Sequence, residues 1–454
     1  MSEEFKTVNP FTGTTIKTYH YFSKTTIENY LSRAEKTLDS WSIVEIPERI
    51  KLLKKLSETL LKKKMHYSEL ITTEMGKPIS QSIAEIEKCV FLSDFYAKNV
   101  DQFLSDELIE TDASESFISY DPLGCILGIM PWNYPFWQVL RFAIPTLTAG
   151  NMVLLKHASN VSGCALAIQE LVEESGFPKG CFQTLLVNHE QIESIIGDDR
   201  IKAVSLTGSE KAGRKIAEIA GKHLKKAVLE LGGNNACIVL EDADLKTYMD
   251  TIVNARMQNA GQSCIAAKRF IVVEAIYDEF IQGFKKKVEL LNYGDPMKKD
   301  TDIGTLARPD LAVTLKKQID DSIIKGAKVL TGNNIENAYV SPTILTNVKP
   351  GMPVFDDETF GPVASIVKVK NKEEAYEMAT KTKFGLGTMV FTKNTEDALK
   401  RTSQIKDGAF FINELVKSDP RLPFGGTKAS GYGRELSREG ILEFVNKKTV
   451  YINH

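Results

Sequence analysis

The chain has 454 residues, of which 43% are hydrophobic and 26% charged, with a formal net charge of -2. That length suits two or three packed units of roughly 100–200 residues each. The near-neutral balance provides no field that would gather nucleic acid, and runs such as Lys62-Lys63-Lys64 read as solvated helix faces.

No apolar run approaches the roughly 20 residues needed to span a bilayer. The most apolar stretch, Ile126 to Pro145, is broken by Pro131, Asn133, Pro135, Gln138 and Arg141. Met1-Ser2-Glu3-Glu4 has neither a basic nor an apolar signal region, so a cytoplasmic enzyme is expected. Six cysteines without a C-x-x-C pair, and six histidines without ligand spacing, argue against a metal site and a disulfide framework.

In chain order, the first ~110 residues read mostly as helix. Leu52, Leu53, Leu56, Leu60 and Leu61 make Ile50 to Lys64 amphipathic, Ile83 to Leu104 is a second helix, and Gly76-Lys77-Pro78 breaks between them. Ser116 to Tyr120 is a strand, and another leads into the Pro131–Pro135 loop. Strands and helices then alternate: Asn151 to Lys156, Ser162 to Ser175, Phe182 to Val187, Glu190 to Gly197, Ile201 to Thr207 and Ala212 to Gly221. Such alternation predicts a parallel sheet covered on both faces. A second α/β unit follows, with strands at Ala236 to Leu240, Phe270 to Val273, Val363 to Val369 and Gly387 to Phe391. Lys448 to Ile452 reads as a lone strand that needs a distant partner.

Cys264, after a helix and a small-residue turn, reads alone as a buried packing residue, and only the residues around it make it a candidate nucleophile. Glu230, between apolar neighbours before Gly232-Gly233, is placed to be desolvated, which raises a carboxyl pKa toward the range of a general base. Asn133, in a loop held by Pro131 and Pro135, suits a fixed oxyanion donor. The strand–turn–helix at Val204 to Gly213 aims N–H groups at a phosphate, weakly as a motif because it is not G-x-G-x-x-G.

Together, Pro131-Trp132-Asn133-Tyr134-Pro135, Leu229-Glu230-Leu231-Gly232-Gly233, Gly261-Gln262-Ser263-Cys264, Glu358-Thr359-Phe360-Gly361-Pro362 and Pro423-Phe424-Gly425-Gly426 resemble the motifs of the aldehyde dehydrogenase superfamily, in order and near its spacing. The likeness runs from about Asn9 to about Val450. It implies a Rossmann-like NAD(P)-binding domain (1–110 and 126–230), an α/β catalytic domain (231–430) and a small β oligomerisation element (111–125 and 431–454). It further implies a homodimer or homotetramer with the tail pairing across subunits. By the same resemblance Cys264 attacks the aldehyde, Asn133 holds the oxyanion, and Glu230 activates water against the thioester. Lys156 and Glu358 resemble ribose ligands, Gly208 and Ser209 lie near the pyrophosphate, and Trp132 and Phe360 flank the cofactor.

Within the family the chain is most similar to the shorter bacterial succinate-semialdehyde dehydrogenases. Arg141 falls where those enzymes carry an arginine for the distal carboxylate, a group its fork suits. The family's second arginine is here Gln258, Arg256 is out of register, and Ser418 is a further candidate contact. Trp137 and Phe424 are candidate pocket walls, and His157 reads as a surface or ribose-side residue. Ala266 removes a cysteine that some relatives use for a disulfide switch. Ser159, where a glutamate would repel a 2′-phosphate, leaves NAD and NADP both open. Oxidation of another aliphatic or aromatic aldehyde, an acylating reaction, a thiol esterase and a non-catalytic descendant are the alternatives.

Overall fold

The computed structural model describes residues 3–454; Met1 and Ser2, part of the N-terminal stretch read above, lie outside the described residues. Two sheets, each with its own hydrophobic core, organise the chain.

The first sheet runs in the order Gly431–Tyr432, Lys226–Glu230, Ile201–Thr207, Cys125–Met130, Met152–His157, Phe182–Thr184. All neighbours are parallel except Gly431–Tyr432 against Lys226–Glu230. The chain winds outward in both directions from Cys125–Met130, so a switch point opens between that strand and Ile201–Thr207. Ligands of open parallel sheets bind at the carboxyl ends of the strands beside such a point. The Asn133 loop and the Gly208 turn leave the sheet there.

The second sheet has the order Lys328–Thr331, Thr343–Thr346, Val363–Val369, Ala267–Val273, Asn235–Val239, Gly387–Phe391, Ala409–Ile412. Its central strands are buried along their whole length and rich in Val, Ile and Phe, as expected of a parallel sheet covered on both faces. Only Lys328–Thr331 runs antiparallel to its neighbour. The Gly232-Gly233 link carries the chain from the carboxyl end of Lys226–Glu230 to the amino end of Asn235–Val239. The site motifs therefore leave strands of the first sheet or enter strands of the second, and they converge between the two.

Three differences from the sequence reading have physical causes. Glu4–Val8 and Thr15–His20 form an antiparallel pair that the reading missed, because both are short and largely exposed and so lack apolar alternation. Helix starts at Ile46 rather than Ile50, and Pro47 in its first turn fits that start. The boundary of the oligomerisation element also differs. Cys125 opens the central strand of the first sheet, and Leu436, Ile441, Leu442 and Phe444 pack into the first core.

The tail strand, Val445–Ile452, pairs antiparallel along its whole length with Glu115–Pro122 of its own chain. Its other edge has no partner among the described residues. No helix among the described residues is long and apolar enough to cross a membrane.

Candidate active site

Cys264 sits in a loop with an unusual backbone. Asn259, Ala260 and Gly261 have successive φ values of 54, 49 and 70°. Left-handed backbone is costly for a residue with a Cβ, so surrounding contacts must hold it. Arg256, fully buried, donates through Nη2 to the carbonyls of Gly261 (2.6 Å) and Gly361 (2.5 Å) and through Nη1 to that of Ala267 (2.9 Å). It is a clamp joining the Cys264 loop to the Glu358–Pro362 motif, not a substrate ligand. A Cβ on Gly261 would lie 2.3 Å from the Gly361 carbonyl oxygen. Gly233 is needed for another close approach, since its Cβ would meet the Cys264 carbonyl at 2.8 Å. That carbonyl accepts hydrogen bonds from Asn235 Nδ2 and Lys268 Nζ, both at 2.6 Å.

Five of the six cysteines are buried, and Cys264 alone is partly exposed. Burial raises its thiol pKa above the usual value, opposed by the positive charges of Arg141 and Lys268.

The Asn133 loop is braced from several sides. Glu85 accepts N–H bonds from Phe136 (2.9 Å) and Trp137 (3.0 Å) and pairs with the buried Lys77. Lys77 lies 3.8 Å from the Tyr134 ring centre. His157, expected near the surface, is buried instead. Its Nδ1 accepts from Ala158 N (3.0 Å) and its Nε2 donates to the Pro135 carbonyl (3.0 Å), an arrangement of the neutral ring. Burial lowers its pKa to about 4, consistent with that form. Asn133 donates one N–H of Nδ2 to the Gln262 carbonyl (3.0 Å), two residues before Cys264, and its own carbonyl accepts from Asn259 Nδ2 (2.8 Å). An amide nitrogen carries two protons, so a second remains for an oxyanion.

Glu230 ends its strand fully enclosed, and neither carboxyl oxygen has a hydrogen-bond partner among the described residues. Burial pushes its pKa well above the carboxylate range, and the negative charge of Glu435 adds to this, while Arg141 and Arg434 oppose it. A buried carboxylate without donors, raised in pKa, is suited to take a proton from water.

Arg141 is held partly from within the protein. It borders the same cleft as Cys264, but its guanidinium forms an ion pair with buried Glu435, donates to Thr207 Oγ1 (3.3 Å) and stacks 4.7 Å from the Phe424 ring centre. Its charge already has a carboxylate partner within the protein. The cleft, of about 440 Å³, is also lined by Gln258, Ser418, Trp137 and Phe424.

On the cofactor side Trp132 meets Phe360 edge-on at 5.7 Å. Glu358 Oε1 accepts from Gly233 N and Lys268 Nζ, both at 3.1 Å, while Oε2 has no donor among the described residues. The Gly208 N–H donates to the Glu230 carbonyl (2.9 Å), tying this turn to the end of the Glu230 strand. Ser209 caps the Glu210–Lys222 helix through Ala212 N (3.3 Å), leaving the first-turn donors that helix geometry cannot pair. Lys156 is nearly buried and has no carboxylate partner among the described residues, and Ser159 is exposed beyond it. A buried ammonium without a counter-ion, on the same sheet as the strand that leads into those helix donors, fits a phosphate-bearing dinucleotide.

Residues 1–450 match the model of the aldehyde dehydrogenase family. The chain belongs to that family. It is 49% identical, over 98% of its length and 99% of the relative's, to a probable NADP(+) succinate-semialdehyde dehydrogenase of Synechocystis sp.. An NADP(+) succinate-semialdehyde dehydrogenase of Mycobacterium bovis is 42% identical over 98% of this chain and 99% of its own. The crystal structure of a succinic semialdehyde dehydrogenase from Streptococcus pyogenes in complex with NADP+ superposes with a TM-score of 0.97 at 36% identity, covering 99% and 100% of the two chains. This aldehyde dehydrogenase is NAD(P)-dependent. Lys88, Lys268, Glu435 and Asn259 are the site-forming residues that the motifs did not reveal; each lies outside them or pairs across the fold.

Proposed function

We propose that this dehydrogenase oxidises succinate semialdehyde to succinate with NADP, as a cytoplasmic homodimer or homotetramer. The observation that carries the substrate is the small cleft in which Cys264 shares walls with Arg141, Gln258 and Ser418. The succinate-semialdehyde dehydrogenase relatives of Synechocystis sp. and Mycobacterium bovis support it. The exposed Ser159 beside unpaired Lys156 supports NADP, since no acid stands there to repel a 2′-phosphate.

The chemistry follows from the site. The Cys264 thiolate adds to the aldehyde carbon, and the carbonyl oxygen becomes an oxyanion held by the second N–H of Asn133. Bound NADP supplies the hydride acceptor that converts this thiohemiacetal to a thioester. Lys156, the Gly208-Ser209 turn, Glu358, Trp132 and Phe360 are the residues that would hold it. Glu230 takes a proton from water, which adds to the thioester carbon. Collapse expels the Cys264 thiolate and leaves a carboxylate.

Following absorbance at 340 nm with succinate semialdehyde, butanal and benzaldehyde, each with NAD and NADP, tests the reading. A kcat/KM for succinate semialdehyde with NADP at least tenfold above the other pairs is expected. Equal or better use of butanal or benzaldehyde overturns the substrate.

A further inference from the structure

Lys268 is the second residue of the Ala267–Val273 strand, just after the Cys264 loop, and its side chain is fully buried. A lysine is rarely enclosed in this way unless its ammonium is matched. Here Nζ donates to the Ser263 carbonyl at 2.8 Å, to the Cys264 carbonyl at 2.6 Å and to Glu358 Oε1 at 3.1 Å. Three protons meet three acceptors, the pattern of the charged form, since a neutral amine has only two protons to donate. Burial opposes the charge and Glu358 supports it; Arg256 and Cys264 act more weakly, against and for it.

Holding the loop does not by itself require a charge. Asn235 Nδ2, a neutral amide, donates to the same Cys264 carbonyl at 2.6 Å and to the Ala266 carbonyl at 2.9 Å. Arg256 fixes the carbonyls of Gly261 and Ala267 on either side. What Lys268 adds to this duplicated support is a positive charge at the nucleophile's own backbone. Its counter-charge is less enclosed, because the Glu358 side chain keeps 19% of its surface exposed where that of Lys268 keeps none. Water therefore screens the carboxylate more than the ammonium, and the pair leaves a net positive field on the protein side.

We propose that Lys268 is a positioning residue that both fixes the Cys264 loop and favours the Cys264 thiolate, with Glu358 as the counterweight that limits its effect. This rests on the reading of Cys264 as the nucleophile. The charges that act on the thiol are Arg141 and Lys268, which favour its ionisation, and Glu358 and Glu230, which disfavour it. Tyr134 is a further titratable neighbour, and Glu85, Lys88, Lys417 and Asp419 line the same cleft. Changing Lys268 or Glu358 leaves all of these in place. Lys268→Met removes a favourable charge and raises the pH at which the thiol ionises. Glu358→Gln removes an unfavourable one, keeps an oxygen for Lys268 and Gly233, and lowers it. The two substitutions break the same ion pair, so a role confined to holding the loop gives shifts of one sign or none.

The test is the rate of alkylation by iodoacetamide, a neutral reagent, between about pH 6 and 10 in wild type, Lys268→Met and Glu358→Gln, with mass spectrometry of the Cys264 peptide as the readout. The midpoint is expected to rise by about one pH unit in Lys268→Met and to fall in Glu358→Gln. A midpoint in Lys268→Met within about 0.3 unit of wild type, or shifts of the same sign in the two variants, overturns the proposal. If Lys268→Met does not fold, Glu358→Gln decides alone, and an unchanged or higher midpoint overturns it. Full dehydrogenase activity in wild type alkylated at Cys264 would instead overturn the nucleophile reading, whatever the two midpoints.

Discussion

At the residue scale the site depends on a carboxyl group kept in an environment that disfavours its charge. Glu230 accepts a proton only as the carboxylate, so a raised pKa moves the rising limb of activity toward higher pH. Cys264, also raised by burial, moves it the same way. Steady-state activity is therefore expected to climb through neutrality into the alkaline range, and Glu230→Gln to lower kcat by roughly 10²–10⁴-fold. A pH–rate profile of both proteins checks this. The same burial has a consequence for stability. The folded state favours the protonated carboxyl, so wild-type stability falls as pH rises from the ordinary carboxylate range through the folded-state value. The gain in Tm of Glu230→Gln over wild type is expected to widen across that window; a gap constant with pH contradicts it. Asn133→Ala, which deletes the oxyanion donor, is expected to reduce kcat by roughly 10²–10³-fold. Cys264, Glu230 and Asn133 were legible because each stands in its own short motif. Glu435 and Lys88 were not. Their meaning comes from pairing with Arg141 and Ser418 across hundreds of residues, which no local pattern marks.

At the scale of elements, the catalytic groups are carried on loops that other elements brace. The Asn259–Gly261 turn is the clearest case. Gly261→Ala places a methyl group against the Gly361 carbonyl and is expected to lower Tm markedly or to prevent soluble expression. Ala260→Gly relieves a left-handed residue with a Cβ and is expected to stabilise by about 1 kcal/mol. Chemical denaturation of the two variants separates these outcomes, and a stable Gly261→Ala protein contradicts the account of the turn. Alternating strands and helices were readable from apolar runs between Gly and Pro breaks. The turn itself was visible only as small residues. Its left-handed course follows from the Arg256 clamp and the crossing of the Gly361 backbone, which are tertiary facts. His157 was misplaced for the same reason: the Pro135 carbonyl that its ring meets lies in the preceding strand–loop connection, which only the folded chain brings against it.

At the scale of the molecule, two parallel sheets are arranged so that the carboxyl ends of one face the amino ends of the other. That geometry explains why motifs spread over the whole chain meet in one cleft, which the sequence conveyed only through its resemblance to a family. The division between units was less legible, because the chain returns after Ala409–Ile412 to pack on the first core. The tail strand forms the outer strand of a three-stranded sheet, with no partner on its other edge among the described residues. An open edge of that length favours pairing with another copy. Light scattering on the purified protein is expected to give two or four subunits, and removal of residues 445–454 to shift it toward monomer. A monomeric full-length protein contradicts the oligomer.

The most direct test of the central claim is pre-steady-state mixing of Glu230→Gln with succinate semialdehyde and NADP, followed at 340 nm and by mass spectrometry of the quenched protein. The account predicts a burst of about one reduced cofactor per active site, slow turnover thereafter, and a succinyl adduct on Cys264. Wild-type steady-state turnover without a burst, or an adduct on any other cysteine, would contradict it.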